Sequence, residues 1–325
     1  MKKLLFSFVF ILQATLLLAQ TSPVTGVYPT HWWTGMKNSN LQLMLHGPNI
    51  AENTFTINYP GVKLLKTNKV ENKNYVFLDL VMAPTAKPGT VKIIAKNASG
   101  SHTINYTLKQ KQPGAGTAYA QGVTSADLVY LLMPDRFANG DVSNDAFADM
   151  RDTAKSRTNM FNRHGGDLQG VINNLDYMKD LGVTALWMTP VVENDMARTQ
   201  EGGVSRSTYH GYAFTNQYQV DKRLGGNEVY KQLSKELHKR GMKLIQDAVY
   251  NHVGQDHFFI RDMPMKDWVN QWPQYTNTSY KDQPLVDPYA SDLDRKTSVS
   301  GWFTPFLVDL NQRNPYVSNF LVQYA

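Results

Sequence analysis

The chain contains no cysteine, which excludes disulfides, thiolate nucleophiles and Cys-ligated metal centres. It also lacks blocks of like charge. Its 33 Lys and Arg stand against 27 Asp and Glu, and the formal net charge of +6 is spread along the sequence. Without a basic cluster there is no electrostatic footprint for a nucleic acid, and none is expected as a partner. No Gly-Lys-Ser or Gly-Lys-Thr accompanies the Gly165-Gly166 pair, so a phosphate loop is not expected there. A serine-nucleophile motif and a zinc-binding histidine pair at helical spacing are missing as well. Long apolar runs are absent everywhere except at the start.

That start is a targeting signal in composition. Lys2 and Lys3 form a basic region, Leu4 to Leu18 an apolar one, and Ala19 is a small residue ahead of Gln20. A signal peptide over 1–19, cleaved near Ala19/Gln20, is the expectation, with an uncleaved anchor as the alternative. The run is short for a membrane span, is broken by Gln13 and lacks a stop-transfer flank. The mature protein is therefore expected in the periplasm or medium, without stable membrane insertion.

What is there reads as two folded domains, with 42% hydrophobic residues to build their cores. Residues 22–110 look all-β. Short β-branched or aromatic runs at 41–45, 54–59, 75–81, 91–95 and 102–108 are separated by Pro60-Gly61, Pro88-Gly89 and Ser99-Gly100, the spacing of an Ig-like sandwich. Adjacent Trp32 and Trp33 should point to opposite faces of a strand. One reading puts one in the core and the other against the next domain; the other puts one at a sugar or a partner subunit. Residues 111–123, with Pro113, Gly114 and Gly116, read as a linker. From 124 onward strands alternate with helices, which implies a parallel sheet. A strand at 128–133 precedes a helix capped by Asp167, with Ile172, Leu175 and Met178 on one face and Gly182 as its stop. A strand at 183–188 follows. A helix at 227–240, with Asn227 as N-cap, leads into a strand at 244–249. Residues 253–305 hold no strong period, and such a stretch is uncommon unless functional.

Polar residues gather where the third strand ends: Asp247-Ala-Val-Tyr-Asn251-His252. This run resembles the first conserved region of the α-amylase family of glycoside hydrolases. Tyr209-His210-Gly211-Tyr212, Val220-Asp221 with Leu224-Gly225-Gly226, and Leu307-Val308-Asp309-Leu310-Asn311 also resemble that family's motifs. Val27 to Met36 is similar to the start of the N-terminal domain of bacterial cyclomaltodextrinases and neopullulanases. The resemblance covers nearly the whole mature chain and looks most like the periplasmic members of that group. It implies an N-terminal β-sandwich followed by the first part of a (β/α)8 TIM barrel over 124–325. An inserted domain, about 253–305, would follow strand 3. One departure stands out: Asn216 occupies a position where relatives commonly carry aspartate.

Further expectations follow from the resemblance. His210, Tyr212, Asp247 and His252 would bind the glucose ring whose bond is cut, Tyr212 by stacking and the histidines through hydroxyls. Asp247 would support them electrostatically, and Asn251 would fix the loop. The catalytic nucleophile and acid would lie beyond Ala325. For the cluster Asn139, Asp141, Asn144, Asp145, Gly165 and Asp167, composition leaves an Asx-rich helix cap and a hard-cation site equally open. The resemblance implies a structural Ca²⁺, with the carbonyl of Gly165 among its ligands. The expected activity is hydrolysis of α-1,4-glucosidic bonds with retention in starch utilisation. Maltooligosaccharides, cyclodextrins or pullulan would be substrates, and a homodimer through the N-terminal domain is implied. A transglycosylase of the same family is the alternative within the enzymes. A non-catalytic glycan- or calcium-binding protein is the alternative outside them, should the gene end at Ala325.

Overall fold

The computed structural model describes residues 24–111, 114, 122–280 and 282–325. The expected signal segment and most of the expected linker lie outside the described residues. No helix among the described residues is long and apolar enough to cross a membrane.

Eight strands build the first domain: β1 (Gly26–Tyr28), β2 (His31–Thr34), β3 (Asn40–His46), β4 (Thr54–Ile57), β5 (Val62–Lys69), β6 (Tyr75–Met82), β7 (Gly89–Asn97) and β8 (Gly100–Gln110). They form two sheets, ordered β1-β3-β6-β5 and β2-β8-β7-β4. Pairing is antiparallel except between β2 and β8. The period of two drives the packing. Leu41, Leu43 and Leu45 of β3 and Val76, Leu78 and Leu80 of β6 meet Val91, Ile93, Ile104 and Tyr106 in the sandwich core. Trp32 is buried there, and Trp33 packs against the same core.

The opposite face of the first sheet is also apolar. Met44, Tyr75 and Phe77 project from it into a seam with the second domain, centred on fully buried Trp268. The Trp268 ring lies 5.6 Å from Phe259, 6.0 Å from Phe77 and 6.2 Å from Phe320, centroid to centroid. A polar clamp borders the seam. Asp262 accepts hydrogen bonds from His46 Nε2 (2.9 Å), Asn72 Nδ2 (2.6 Å) and Asn74 Nδ2 (2.9 Å). Burial pushes its carboxyl up, but these three donors outweigh burial and hold it below the ordinary value.

The second domain runs β9 (Val129–Leu132), α1 (Pro134–Phe137), α2 (Leu168–Asn173), α3 (Leu175–Asp180), β10 (Ala185–Met188), β11 (Val192–Glu193), β12 (Thr199–Glu201), β13 (Val204–Arg206), β14 (Asn216–Val220), α4 (Gly226–Lys239) and β15 (Lys243–Gln246). The insert follows with β16 (His252–Gly254), α5 (Phe258–Arg261), α6 (Gln283–Val286) and α7 (Asp292–Ser300). Then come β17 (Leu307–Asp309) and α8 (Pro315–Tyr324). Strands β9, β10 and β15 form a parallel sheet with β10 in the middle. Helices α2, α3 and α4 cover one face through Leu168, Val171, Leu175, Met178, Leu233 and Leu237. This is the opening part of a TIM barrel.

Local details depart from the sequence expectations. Asp167 caps α2 as expected, accepting from Gly170 N–H at 2.6 Å. The helix then breaks at Asn174, whose side-chain amide bonds the Gly170 carbonyl (2.8 Å) and competes with the helical ladder. Asn227 is not the cap of α4. Gly225, at φ 101°, takes that place, and Asn227 Oδ1 accepts from Val220 N–H at the end of β14. The insert is not structureless: its helices are too short and too exposed to print a period, and Ser291 caps α7 by accepting from Asp294 N–H. Replacing Trp268 by alanine should cost about 3–5 kcal/mol, the range for an aromatic removed from a core. Leu293→Ala, on the exposed side of α7, should change stability by less than about 0.5 kcal/mol. Denaturant titration checks both, and equal effects would contradict the seam.

Candidate functional site: a cavity at the strand ends

Parallel pairing sets Leu131, Trp187 and Ile245 in one row and Leu132, Met188 and Gln246 in the next, so β9, β10 and β15 end level. Asp247 is the first residue past β15. Its Oδ2 accepts from Trp187 Nε1–H at 3.1 Å and from the Tyr212 hydroxyl at 3.0 Å. One carboxylate oxygen thus ties the end of the second strand, the loop after it and the end of the third. Burial first, then the bond to Asp247, raises the Tyr212 phenol to about 12. Glycine is required at 211: φ is 88°, and a Cβ would stand 2.1 Å from the Pro190 carbonyl oxygen. That close approach brings His210 and Tyr212 to the strand ends.

The imidazole of His210 stacks beside the Tyr212 ring (5.8 Å, 25°), and its Nδ1 accepts from Tyr212 N–H at 3.0 Å. His252 sits on β16, in register with Asp309 of β17. Its Nε2 lies 3.2 Å from the Tyr212 carbonyl and its Nδ1 3.2 Å from the Asn251 amide nitrogen. These partners assign both rings as neutral, with the proton on Nε2. Burial lowers both histidines to about 4; Arg163, His252 and Arg206 add to the effect on His210. His210, Tyr212, Asn251, His252, Phe303 and Phe306 line a cavity of about 630 Å³. The four residues singled out in the sequence are therefore brought together, three on the cavity and Asp247 behind Tyr212. Asn216 does not line the cavity; it opens β14, where its Oδ1 accepts from Tyr218 N–H at 3.0 Å. Sequence reasoning missed Trp187, Phe303 and Phe306. Trp187 ends an expected strand and was findable, whereas the two phenylalanines lie in or beside a stretch without period.

A second cluster lies in the loop segments between α1 and α2. Asp167 is fully buried, and its carboxylate accepts from the backbone N–H of Gly140 (3.1 Å), Asp141 (2.9 Å) and Gly170 (2.6 Å) and from Asn144 Nδ2 (3.2 Å). Asn139 Nδ2 donates to Asp145 Oδ1 at 2.6 Å. A Cβ on Gly165 would meet both Asp145 Oδ1 (2.7 Å) and Asn139 Nδ2 (3.0 Å). The Asp141 carboxylate turns instead to Ser143, accepting from its N–H (3.0 Å) and hydroxyl (2.6 Å). No group of three or more His, Asp or Glu fit for a metal occurs among the described residues. Two buried amide oxygens, Asn139 Oδ1 and Asn144 Oδ1, are nevertheless left without a hydrogen-bond donor. Unpaired buried acceptors are costly, and oxygen-only donors suit a hard cation.

Two family models match the chain: the α-amylase catalytic domain over residues 131–323 and the cyclomaltodextrinase N-terminal domain over residues 26–112. The chain is 33% identical over 216 residues to a cyclomaltodextrinase of Thermoanaerobacter pseudethanolicus, spanning 64% of this chain and 33% of that protein. It is 30% identical over 200 residues to neopullulanase 2 of Thermoactinomyces vulgaris, spanning 61% and 31%. The solved structure of a cyclomaltodextrin glucanotransferase with a three-domain arrangement shares 25% identity at a TM-score of 0.51, over 62% of this chain and 42% of that one. The chain spans about a third of the length of these two curated relatives.

The depressed histidines set a pH dependence. Unfolded, each binds its proton near pH 6.5; folded, only near pH 4. Between those values the unfolded state holds more protons, so their contribution is complete above about pH 6.5 and drains away as the pH falls toward 4. His252→Gln should flatten the dependence of unfolding free energy on pH in that window by up to ~1.4 kcal/mol per pH unit. Denaturant titrations at a series of pH values check it, and an unchanged slope would contradict the burial of His252.

Proposed function

The chain belongs to the α-amylase family of glycoside hydrolases, and we propose that the complete protein hydrolyses α-1,4-glucosidic bonds in maltooligosaccharides, cyclodextrins or pullulan. The observation that carries this reading is the convergence of His210, Tyr212 and His252 on one cavity, backed by Asp247. The Tyr212 ring offers a face to the C–H surface of a glucose. His210 Nε2 makes no hydrogen bond among the described residues, so its N–H is available to a sugar hydroxyl. His252 engages a hydroxyl by exchanging its 3.2 Å contact with the Tyr212 carbonyl. Both imidazoles, held neutral by burial, act as hydrogen-bonding groups rather than as cations. Such contacts accelerate the reaction to the extent that they strengthen as the sugar flattens toward an oxocarbenium ion.

Retaining cleavage needs two carboxyl groups roughly 5–5.5 Å apart, one as nucleophile and one as acid. Asp247 is not assigned either role, since its Oδ2 is committed to Tyr212 and Trp187. The pair is proposed to come from sequence following Ala325. A structural Ca²⁺ is proposed at Asn139, Asn144, Asp145 and the Gly165 carbonyl. Asp167 shapes the loop around it by accepting from backbone N–H groups, that of Asp141 among them. When bound, the ion would satisfy the two orphan amide oxygens and hold the loop after β9; no reaction step passes through it. Export to the periplasm, use in starch degradation and a homodimer through the sandwich complete the proposal.

His210→Ala and Tyr212→Ala in the full-length protein should each lower kcat/KM on maltooligosaccharides by about a hundredfold or more, as for lost transition-state contacts elsewhere. Values within twofold of the parent would remove these residues from the site. Chelation should lower the melting temperature by roughly 5–10 °C. In Asn139→Ala/Asp145→Ala that response should vanish. A melting temperature indifferent to chelation in the parent would contradict the calcium site.

A further inference from the structure

A buried polar hub holds the segment that leads into His210. Asn194 is the residue after β11, and Thr208 stands two residues before His210; both are buried. Both ends of the Asn194 amide are spent on that threonine. Its Nδ2 donates to the Thr208 carbonyl at 3.0 Å, and its Oδ1 accepts from the Thr208 hydroxyl at 2.5 Å. The Asn194 backbone is gripped in turn by buried charges. Its N–H donates to Asp221 Oδ2 at 3.0 Å, and its carbonyl accepts from Arg223 Nη2 at 2.5 Å and from Arg163 Nη2 at 3.4 Å. Asp221 and Arg223 are themselves an ion pair, with 2.8 Å between Oδ2 and Nη2. The neighbouring Tyr209 is held from another element. The Arg136 guanidinium of α1 lies 3.7 Å from the centre of its ring while donating to the carbonyls of Met160 and Asn162.

Burying charges carries a desolvation cost, and apolar residues of similar volume often stabilise a fold at least as well. What this hub supplies and an apolar core would not is direction, because an amide with one donor end and one acceptor end fits Thr208 in one orientation. We propose that Asn194 and Thr208 are positioning residues for the reaction: they fix the backbone ahead of His210 so that its Nε2–H meets a sugar hydroxyl as the transition state forms. Neither lines the cavity, so both act through His210 and neither is a catalytic residue. The His210 ring is oriented within its own turn by Tyr212 N–H, and the hub sets where that turn sits. Placement matters at this scale, since a displacement of about 1 Å can cost on the order of a hundredfold in rate. The inference rests on the α-glucan reading of the cavity.

Thr208→Val tests it by removing the hydroxyl at nearly constant shape. In the full-length protein, kcat on maltoheptaose should fall about tenfold while KM changes less than about twofold. Thr208→Ser restores the donor and should return kcat to within about twofold of the parent. A role confined to packing predicts the reverse order, because serine lacks the methyl group that valine keeps. Asn194→Ala should reproduce the fall and serves if Thr208→Val does not fold. The double variant should be no slower than the slower single one, since both changes break one interaction. Single variants within about twofold of the parent, a Thr208→Ser as slow as Thr208→Val, or additive losses in the double variant would each overturn the positioning role while leaving the α-glucan reading intact. A parent protein that cleaves no maltooligosaccharide would overturn that reading, and the positioning role with it.

Discussion

The level ending of three parallel strands is the constraint on which the site depends. Because Leu131, Trp187 and Ile245 share one row, the first residue beyond β15 comes within reach of the indole on β10. The hydrogen bonds from Trp187 and Tyr212 to one oxygen of Asp247 then fix the loop between β10 and α4. A slip of one residue in β15 would send Asp247 to the helix-covered side of the sheet, since side chains alternate faces. Tyr212 and His210 would lose their anchor.

The second support is the seam between the domains. The sandwich uses both faces of β6: Val76, Leu78 and Leu80 fill its own core, and Tyr75 and Phe77 pack against the insert and α8. The insert, whose helices are too short to stand alone, is thereby held by Trp268, Phe259 and the Asp262 clamp. It closes over the strand ends through the pairing of His252 with Asp309. Burial there pushes the Asp309 carboxyl up to about 6, against the hydrogen bond from Asn270 and the nearby Arg313. The wall that carries His252 and Phe303 is thus positioned by contacts that begin in the other domain.

Much of this was legible in the sequence, for physical reasons that differ by element. Strands β7 and β8 alternate buried and exposed residues, β3 and β6 are apolar runs buried on both faces over part of their length, and α4 shows Leu233 and Leu237 on one face, so their patterns print directly. Strand β5 was not anticipated: Lys63, Lys66 and Lys69 line it, as befits an edge that must resist further pairing. The break at Asn174 comes from a side chain that bonds back to a carbonyl four residues earlier, and the displaced cap of α4 from one that turns to the end of β14. His210, Tyr212, Asp247 and His252 were recognisable from motif resemblance. Phe303 and Phe306 were not, because nothing local distinguishes a ring on a cavity wall from one in a loop. The turning of Asp141 toward Ser143 was equally invisible.

The measurement that tests the account most directly is a crystal structure of the full-length protein soaked with maltoheptaose. A glucose unit should lie against the Tyr212 ring, with hydroxyls within hydrogen-bond distance of His210 and His252. An empty cavity with sugar bound elsewhere on the protein would contradict the assignment of these strand ends as the place where the glucan is held.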